Sequence, residues 1–143
     1  MSALPVPDEA AQAQSQRLSA LLHQQIAAGG GWLSFAEFMH HALYAPGLGY
    51  YSGGSRKFGP HGDFVTAPEI SSAFSQTLAT QAVQIMALSA PQIIEVGAGS
   101  GRLAADLLLE LERRNALPER YSILDLSGEL RERQRATIAQ RAP

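Results

Sequence analysis

Residues 93–101 read IIEVGAGSG: an apolar segment reaches an acidic residue and then three glycines at alternate positions. This pattern predicts a strand that turns directly into a helix while its backbone approaches a ligand. Glycine suits such a turn because it has no Cβ and tolerates left-handed torsion angles. We therefore predict that a cofactor lies against Gly97, Gly99 and Gly101.

A second acidic residue strengthens this interpretation. Asp125 follows the β-prone residues 121–124 and lies 24 residues after Gly101. This is near the interval of roughly 20 residues at which an acid at the end of the second strand meets ribose hydroxyls. A carboxylate can accept hydrogen bonds from both vicinal hydroxyls. Leucines at helical spacing predict a crossover helix between the two strands: Leu103, Leu107, Leu108 and Leu111.

The glycine spacing separates two classes of cofactor. A dinucleotide fingerprint, G-x-G-x-x-G, would place its third glycine at position 102, where this chain has Arg102. The order Glu-x-Gly-x-Gly-x-Gly instead resembles the motif of Rossmann-like methyltransferases that use S-adenosylmethionine (SAM). The resemblance implies SAM as cofactor, and an NAD-dependent oxidoreductase is the disfavoured alternative.

Composition narrows the function classes further. The 143 residues are 45% hydrophobic and 17% charged, as expected of a globular chain with a core. A net charge of −2 gives no basic surface for nucleic acid, and no apolar run approaches the ~20 residues of a membrane span. Residues 1–16 contain no Lys or Arg, unlike a targeting peptide, so a cytoplasmic location is expected.

Metal binding is not expected. The chain has no cysteine, which excludes disulfides, thiolate metal sites and a cysteine nucleophile. His40 and His41 are adjacent in a predicted helix and would point about 100° apart, which suits one shared metal ion poorly.

The predicted fold class is α/β, in two parts. Residues 1–90 form an N-terminal helical and loop region, with helices over 8–28, from the capping box at Ser34 to before Pro46, and over 71–88. A glycine-rich loop is predicted over 48–62. Residues 91–143 form the first βαβα part of a Rossmann-like sheet.

The predicted sheet is incomplete. A Rossmann-like methyltransferase needs about five to seven strands covered by helices on both faces, and two strands fit before Pro143. We therefore expect the N-terminal part of a longer protein, or a truncated gene.

Two further segments resemble signatures of the MidA family of SAM-dependent methyltransferases. They are residues 39–51, MHHALYAPGLGYY, and residues 58–71, FGPHGDFVTAPEIS. The similarity includes residues 95–101 and 125–127, with Leu130, Arg131 and Gln134 at family-like positions. Mitochondrial members resemble protein arginine methyltransferases that act on a subunit of respiratory complex I. The resemblance implies an enzyme with a protein side chain, arginine as candidate, as methyl acceptor and a complex I-like subunit as candidate partner.

The resemblance also implies roles for individual residues. The three glycines would approach the methionine part and ribose of SAM, Glu95 would orient the loop or receive the amino group, and Asp125 would hold the ribose. The catalytic candidates are Asp63, Thr66 and Glu69, because a carboxylate can pair with a guanidinium and orient its nitrogen.

Two alternatives remain open. Thr66 and Glu69 could form a local capping box at a helix start. The chain as a whole could be a noncatalytic interaction or assembly module that keeps half of a SAM site.

Overall fold

The computed structural model describes residues 6–54, 62–63 and 65–142. Residues 55–61 and 64 lie outside this description, and with them part of the predicted glycine-rich loop and of the second signature segment. The chain divides into two compact units, Met1–Gly54 and Ser55–Pro143. The sequence-based boundary was drawn at the first strand, near residue 91, and remains a prediction.

The first unit contains two capped helices. Helix α1 spans Glu9–Ala28, and the Asp8 carboxylate accepts a 2.8 Å hydrogen bond from the Ala11 N–H. Helix α2 spans Phe35–Tyr44 and begins with the predicted capping box, in which the side chains of Ser34 and Glu37 each accept from the other residue's backbone N–H. These reciprocal bonds satisfy donors that a helix start leaves unpaired, so the local sequence is sufficient to place it.

The second unit contains four helices and two strands among its described residues. Helices α3 and α4 span Ala67–Ile70 and Ala73–Leu88; strand β1 spans Gln92–Val96; helix α5 spans Arg102–Arg113; strand β2 spans Arg120–Leu124; and helix α6 spans Gly128–Arg141. The predicted third helix over 71–88 is therefore shorter, and a separate turn of helix, α3, precedes it. The other predicted elements of this unit are confirmed.

Strands β1 and β2 form a parallel pair in which Ile93 pairs with Tyr121 and Glu95 with Ile123. A parallel pair needs a crossover connection, which α5 provides. Because successive strand residues point to opposite faces, these four side chains share one face, and that face packs toward the helices. On the other face, Ile94, Val96 and Leu124 are 57–73% exposed. The fold of this unit is mixed α/β with a two-stranded parallel sheet.

The core of this unit forms where α4 crosses α5. Ala79, Leu107 and Leu111 are at most 2% exposed and contact partly buried residues of both strands. Three large apolar side chains of α4 remain exposed to solvent to a considerable extent: Phe74 44%, Leu78 36% and Ile85 62%. Ser75 and Ala79 of α4 are fully buried, and Ala82, Val83 and Met86 of the same helix pack against the core while partly buried.

Helix α6 is joined to α5 through a buried carboxylate. Asp106 is 6% exposed and lies between Arg102 and Arg141, each with an N···O distance of 2.7 Å. Within α6, Glu129 and Arg133 form an ion pair at 3.0 Å. Within residues 6–54, 62–63 and 65–142, no helix combines the length and the apolarity needed to traverse a bilayer.

Candidate functional site

The glycine loop, residues 97–101, connects β1 to α5. Gly97, Gly99 and Gly101 have φ angles of 70°, 56° and 82°, in the region that favours glycine. The Gly97 N–H donates a 2.9 Å hydrogen bond to the Leu124 carbonyl, which ties the start of the loop to β2. At the other end, a Cβ on Gly101 would lie 2.9 Å from the Cα of Gln134 in α6. The alternate glycines are therefore required by backbone conformation, and the last one also by packing.

A cleft of about 450 Å³ lies between the glycine loop and α3. This volume is within the range of small-molecule sites. Its lining includes five predicted site residues and one aromatic residue without a predicted site role: Thr66, Glu69, Glu95, Gly97, Gly99 and Phe74. Residues far apart in the chain therefore face one concave surface.

Glu95 enters the cleft from the end of β1. Its Oε2 accepts a 2.6 Å hydrogen bond from the hydroxyl of Tyr121 in β2. Burial raises the pKa of Glu95, and the Tyr121 hydrogen bond opposes that rise. Burial, followed by the contact with Glu95, also raises the pKa of Tyr121, so the phenol stays protonated and donates. Glu95 is thus a half-buried acceptor, and Tyr121 is its neutral donor.

Glu69 joins α3 to the glycine loop. Its Oε1 accepts a hydrogen bond from the Ser100 hydroxyl, and Ser100 Oγ in turn accepts from the Arg102 N–H at 3.3 Å. The alternative local role is not found, because Thr66 makes no side-chain capping bond to α3. The Glu69 carboxylate instead accepts from a hydroxyl of the glycine loop.

Asp125, at the end of β2, is oriented by two donors. Its Oδ1 accepts from the Ser127 N–H at 3.0 Å, and its Oδ2 accepts from Nε2 of Gln134 at 2.8 Å. The same Nε2 lies 3.2 Å from the Gly99 carbonyl oxygen. Gln134 thus connects the predicted ribose acceptor to the glycine loop.

The structure brings most of the predicted residues together. Five of them line the cleft: Thr66, Glu69, Glu95, Gly97 and Gly99. Gly101 ends the same loop, and Asp125 reaches it through Gln134. Asp63 is exposed and is not among the described residues that line the cleft. The cofactor and catalytic roles of all these residues remain predictions.

Sequence reasoning assigned no site role to Gln134, Tyr121 or Phe74. For Gln134 the sequence held two signals: its family-like position and its spacing of four residues from Leu130. In the structure both side chains are buried, at 5% exposure for Leu130 and 3% for Gln134. A glutamine at a core-facing position needs hydrogen-bond partners, and an acid precedes that helix. No comparable local signal identifies Tyr121, because its partner depends on strand register.

Comparisons with known proteins agree with the motif-based resemblance. Residues 77–143 match the family described as "Putative S-adenosyl-L-methionine-dependent methyltransferase". The chain is 43% identical over 82 residues to "Protein arginine methyltransferase NDUFAF7, mitochondrial" of Danio rerio. The aligned region covers 54% of this chain and 19% of the relative. It is 33% identical over 118 residues to the Mus musculus protein of the same name. Here the aligned region covers 77% of this chain and 27% of the relative.

Solved structures extend the similarity to nearly the whole chain. A COG1565 superfamily member from Burkholderia thailandensis, crystallised with S-adenosyl-homocysteine, matches with a TM-score of 0.86 and 50% identity, over 99% of this chain and 38% of that chain. A native crystal structure of a protein of the same superfamily and organism matches with a TM-score of 0.80 and 48% identity. This match covers 99% of this chain and 36% of that chain. This chain therefore spans less than two fifths of the length of each of these relatives. Taken together, the matches confirm the resemblance inferred from the motifs.

Proposed function

We propose that this chain, a MidA-like relative of the SAM-dependent methyltransferases, binds SAM beside its glycine loop and forms part of a protein methyltransferase. The parallel strands, the crossover helix α5 and the glycine loop between them support assignment to the Rossmann-like class. The longer relatives support the expectation that the complete catalytic unit contains more chain than these residues. S-adenosyl-homocysteine, the demethylated form of SAM, is bound by one of the similar structures.

The charge of the cleft carries this proposal. Glu69 and Glu95 contribute carboxylates to the cleft lining. Of the described residues that line it, Arg102 carries a positive charge, and its guanidinium is ion-paired with Asp106 at 2.7 Å. Such a cleft favours a ligand with cationic groups, and SAM carries both a sulfonium and an ammonium. The pyrophosphate of NAD would instead approach two carboxylates.

Each residue of the site has a role that fits the cofactor. The glycine loop has backbone conformations that permit close approach of a ligand. One oxygen of Glu95 is held by Tyr121, and the other can accept from an ammonium. Asp125 accepts one hydrogen bond at each oxygen and retains lone pairs for ribose hydroxyls. Bound SAM supplies an electrophilic methyl group; the residues align it with the acceptor and exclude water.

The proposed acceptor is a protein side chain, with arginine as the first candidate. Glu69 lies in the cleft, where its carboxylate can pair with a guanidinium and orient the attacking nitrogen. The names of the curated relatives, which are arginine methyltransferases, support this choice. Thr66 lies beside Glu69 in the cleft lining, and Asp63, outside that lining, is the weaker candidate.

The proposed partner follows from the resemblance, and the proposed location follows from residues 1–16. A complex I-like subunit is the proposed protein substrate, and neither nucleic acid nor membrane insertion enters the proposal. The cytoplasmic location expected from residues 1–16 also remains a proposal. The names of the curated relatives place those proteins in mitochondria.

Calorimetric titration tests the cofactor assignment. The full-length protein is titrated with SAM, S-adenosylhomocysteine and NAD, alongside Asp125→Ala and the exposed-site control Glu132→Gln. We expect saturable binding of SAM and S-adenosylhomocysteine, weakened by Asp125→Ala and unaffected by Glu132→Gln. Selective binding of NAD would overturn the assignment.

A methyl-transfer assay tests the acceptor. Radiolabelled SAM and an arginine-containing protein substrate are incubated with the wild type and with Glu69→Gln. Loss of transfer with retained SAM binding is the expected result for Glu69→Gln. Unchanged transfer would remove Glu69 from the mechanism, and binding without any transfer by the wild type would favour the noncatalytic assembly module.

A further inference from the structure

We infer that Gln134 is a positioning residue for the cofactor's ribose: its side-chain amide holds Asp125 and the glycine loop in one fixed arrangement. This inference rests on the proposed function, because it concerns the same SAM site. Gln134 lies on α6, outside the cleft lining, so it acts on the ligand through Asp125 and Gly99.

The hydrogen bonds of Gln134 define this role. Its Nε2 lies 2.8 Å from Asp125 Oδ2 and 3.2 Å from the Gly99 carbonyl oxygen. A primary amide has two N–H donors, so each donor has one acceptor. Because both partners are acceptors only, the nitrogen and not the oxygen must face them. At 3% exposure, Gln134 cannot exchange these partners for bulk water at low cost.

The consequence for Asp125 is a fixed carboxylate plane. Ser127 holds one oxygen through its backbone N–H, and Gln134 holds the other through its amide. With one donor on each oxygen, rotation of the carboxylate would break both bonds. The remaining lone pairs are therefore presented in a set direction, as two vicinal hydroxyls require.

Packing of α6 against the glycine loop prevents the helix from moving to compensate for loss of the Gln134 side-chain hydrogen bonds. The Gly101 Cα lies so close to α6 that a Cβ there would come within 2.9 Å of Gln134 Cα and 3.2 Å of Gln134 O. The backbone of Gln134 is thus held against the glycine loop at Gly101, and its side chain reaches the same loop at Gly99. Loss of the amide donors would remove the hydrogen bonds that Gln134 makes to Asp125 Oδ2 and to the Gly99 carbonyl oxygen.

The test separates positioning from simple packing. In the full-length protein, Gln134→Met keeps the side-chain length and removes both donors, and Gln140→Met is the control at an exposed position of the same helix. S-adenosylhomocysteine and its 2′-deoxy analogue are titrated into each protein. We expect Gln134→Met to weaken the binding of S-adenosylhomocysteine roughly tenfold to a hundredfold, as loss of a hydrogen bond to a charged group predicts. Binding of the 2′-deoxy analogue should weaken much less.

Other outcomes overturn the inference. Equal weakening of the binding of both ligands would show that Gln134 has a structural role only. Unchanged binding would show that Asp125 does not depend on Gln134 for its orientation. If Gln134→Met does not fold, Gln134→Glu replaces it in the test. Glutamate has nearly the same shape as glutamine but places an acceptor against two acceptors. This variant must fold and must lose more affinity for S-adenosylhomocysteine than for the 2′-deoxy analogue. Failure of both variants to fold while Gln140→Met folds would assign Gln134 to folding. If the wild type binds neither ligand, the proposed function itself fails.

Discussion

The Tyr121 hydroxyl lies 2.6 Å from Oε2 of Glu95, across the parallel strand pair. Tyr121 pairs in register with Ile93, so Glu95 is its diagonal neighbour on the same face of the sheet. That face is packed against helices, and a carboxylate there needs a donor. The tyrosine supplies one and leaves the second oxygen of Glu95 available to the cleft.

Glu95 makes the stability of the protein depend on pH. Burial raises its pKa above the ordinary value of 4.5. A raised carboxyl pKa means that its contribution to stability is complete below about pH 4.5 and is lost as pH rises through the folded-state pKa. Glu95→Gln should flatten this part of the profile, and Tyr121→Phe should move it to higher pH. Urea unfolding from pH 4 to 8 measures it; identical slopes in wild type and Glu95→Gln would contradict the prediction.

Two glycines of the loop should differ in their tolerance of alanine. Both have positive φ, but a Cβ on Gly97 meets nothing within 4 Å, whereas one on Gly101 meets the Gln134 backbone. We expect Gly97→Ala to cost about 1–2 kcal/mol of unfolding free energy from torsional strain. Gly101→Ala should cost at least about 1 kcal/mol more, because backbone must move. Denaturant unfolding of the ligand-free proteins compares them, and equal costs would argue against the close packing of α6.

Asp106 should contribute much more to stability than an exposed acid on the neighbouring helix. Its side chain is 4% exposed and meets two arginines, whereas Glu132 pairs with Arg135 with both side chains at least 70% exposed. Asp106→Asn is expected to cost about 2–3 kcal/mol, the scale of lost hydrogen bonds to charged groups. The matched change Glu132→Gln should stay within about 0.5 kcal/mol. Thermal and urea unfolding measure both, and similar costs would contradict the inferred link between α5 and α6.

Ser100 should affect ligand binding more than folding. Its hydroxyl donates to Glu69 and thereby holds α3 against the glycine loop. Ser100→Ala is expected to weaken the binding of S-adenosylhomocysteine roughly threefold to tenfold, the scale of one net hydrogen bond. Ser89→Ala is the control, since that hydroxyl also donates a hydrogen bond but lies at the exposed end of α4. Unchanged affinity in Ser100→Ala would show that α3 does not depend on this contact.

Local patterns predicted most of the elements correctly. The capping box at Ser34 begins α2, and the leucine spacing predicts α5 between two short strands, as observed. Side-chain burial was less predictable. Phe74 and Ile85 of α4 are 44% and 62% exposed, whereas the apolar residues Val83 and Met86 of the same helix pack against the core.

The amino-acid sequence by itself determined the glycine loop, the acids that flank it and the order of strands and helices around it. These features depend on interactions within a few residues: torsional preference, helix capping and hydrophobic spacing. Only the tertiary structure decided the partners of those acids. Tyr121 reaches Glu95 across 26 residues and Gln134 reaches Gly99 across 35, because strand register and the packing of α6 on the loop bring distant segments together.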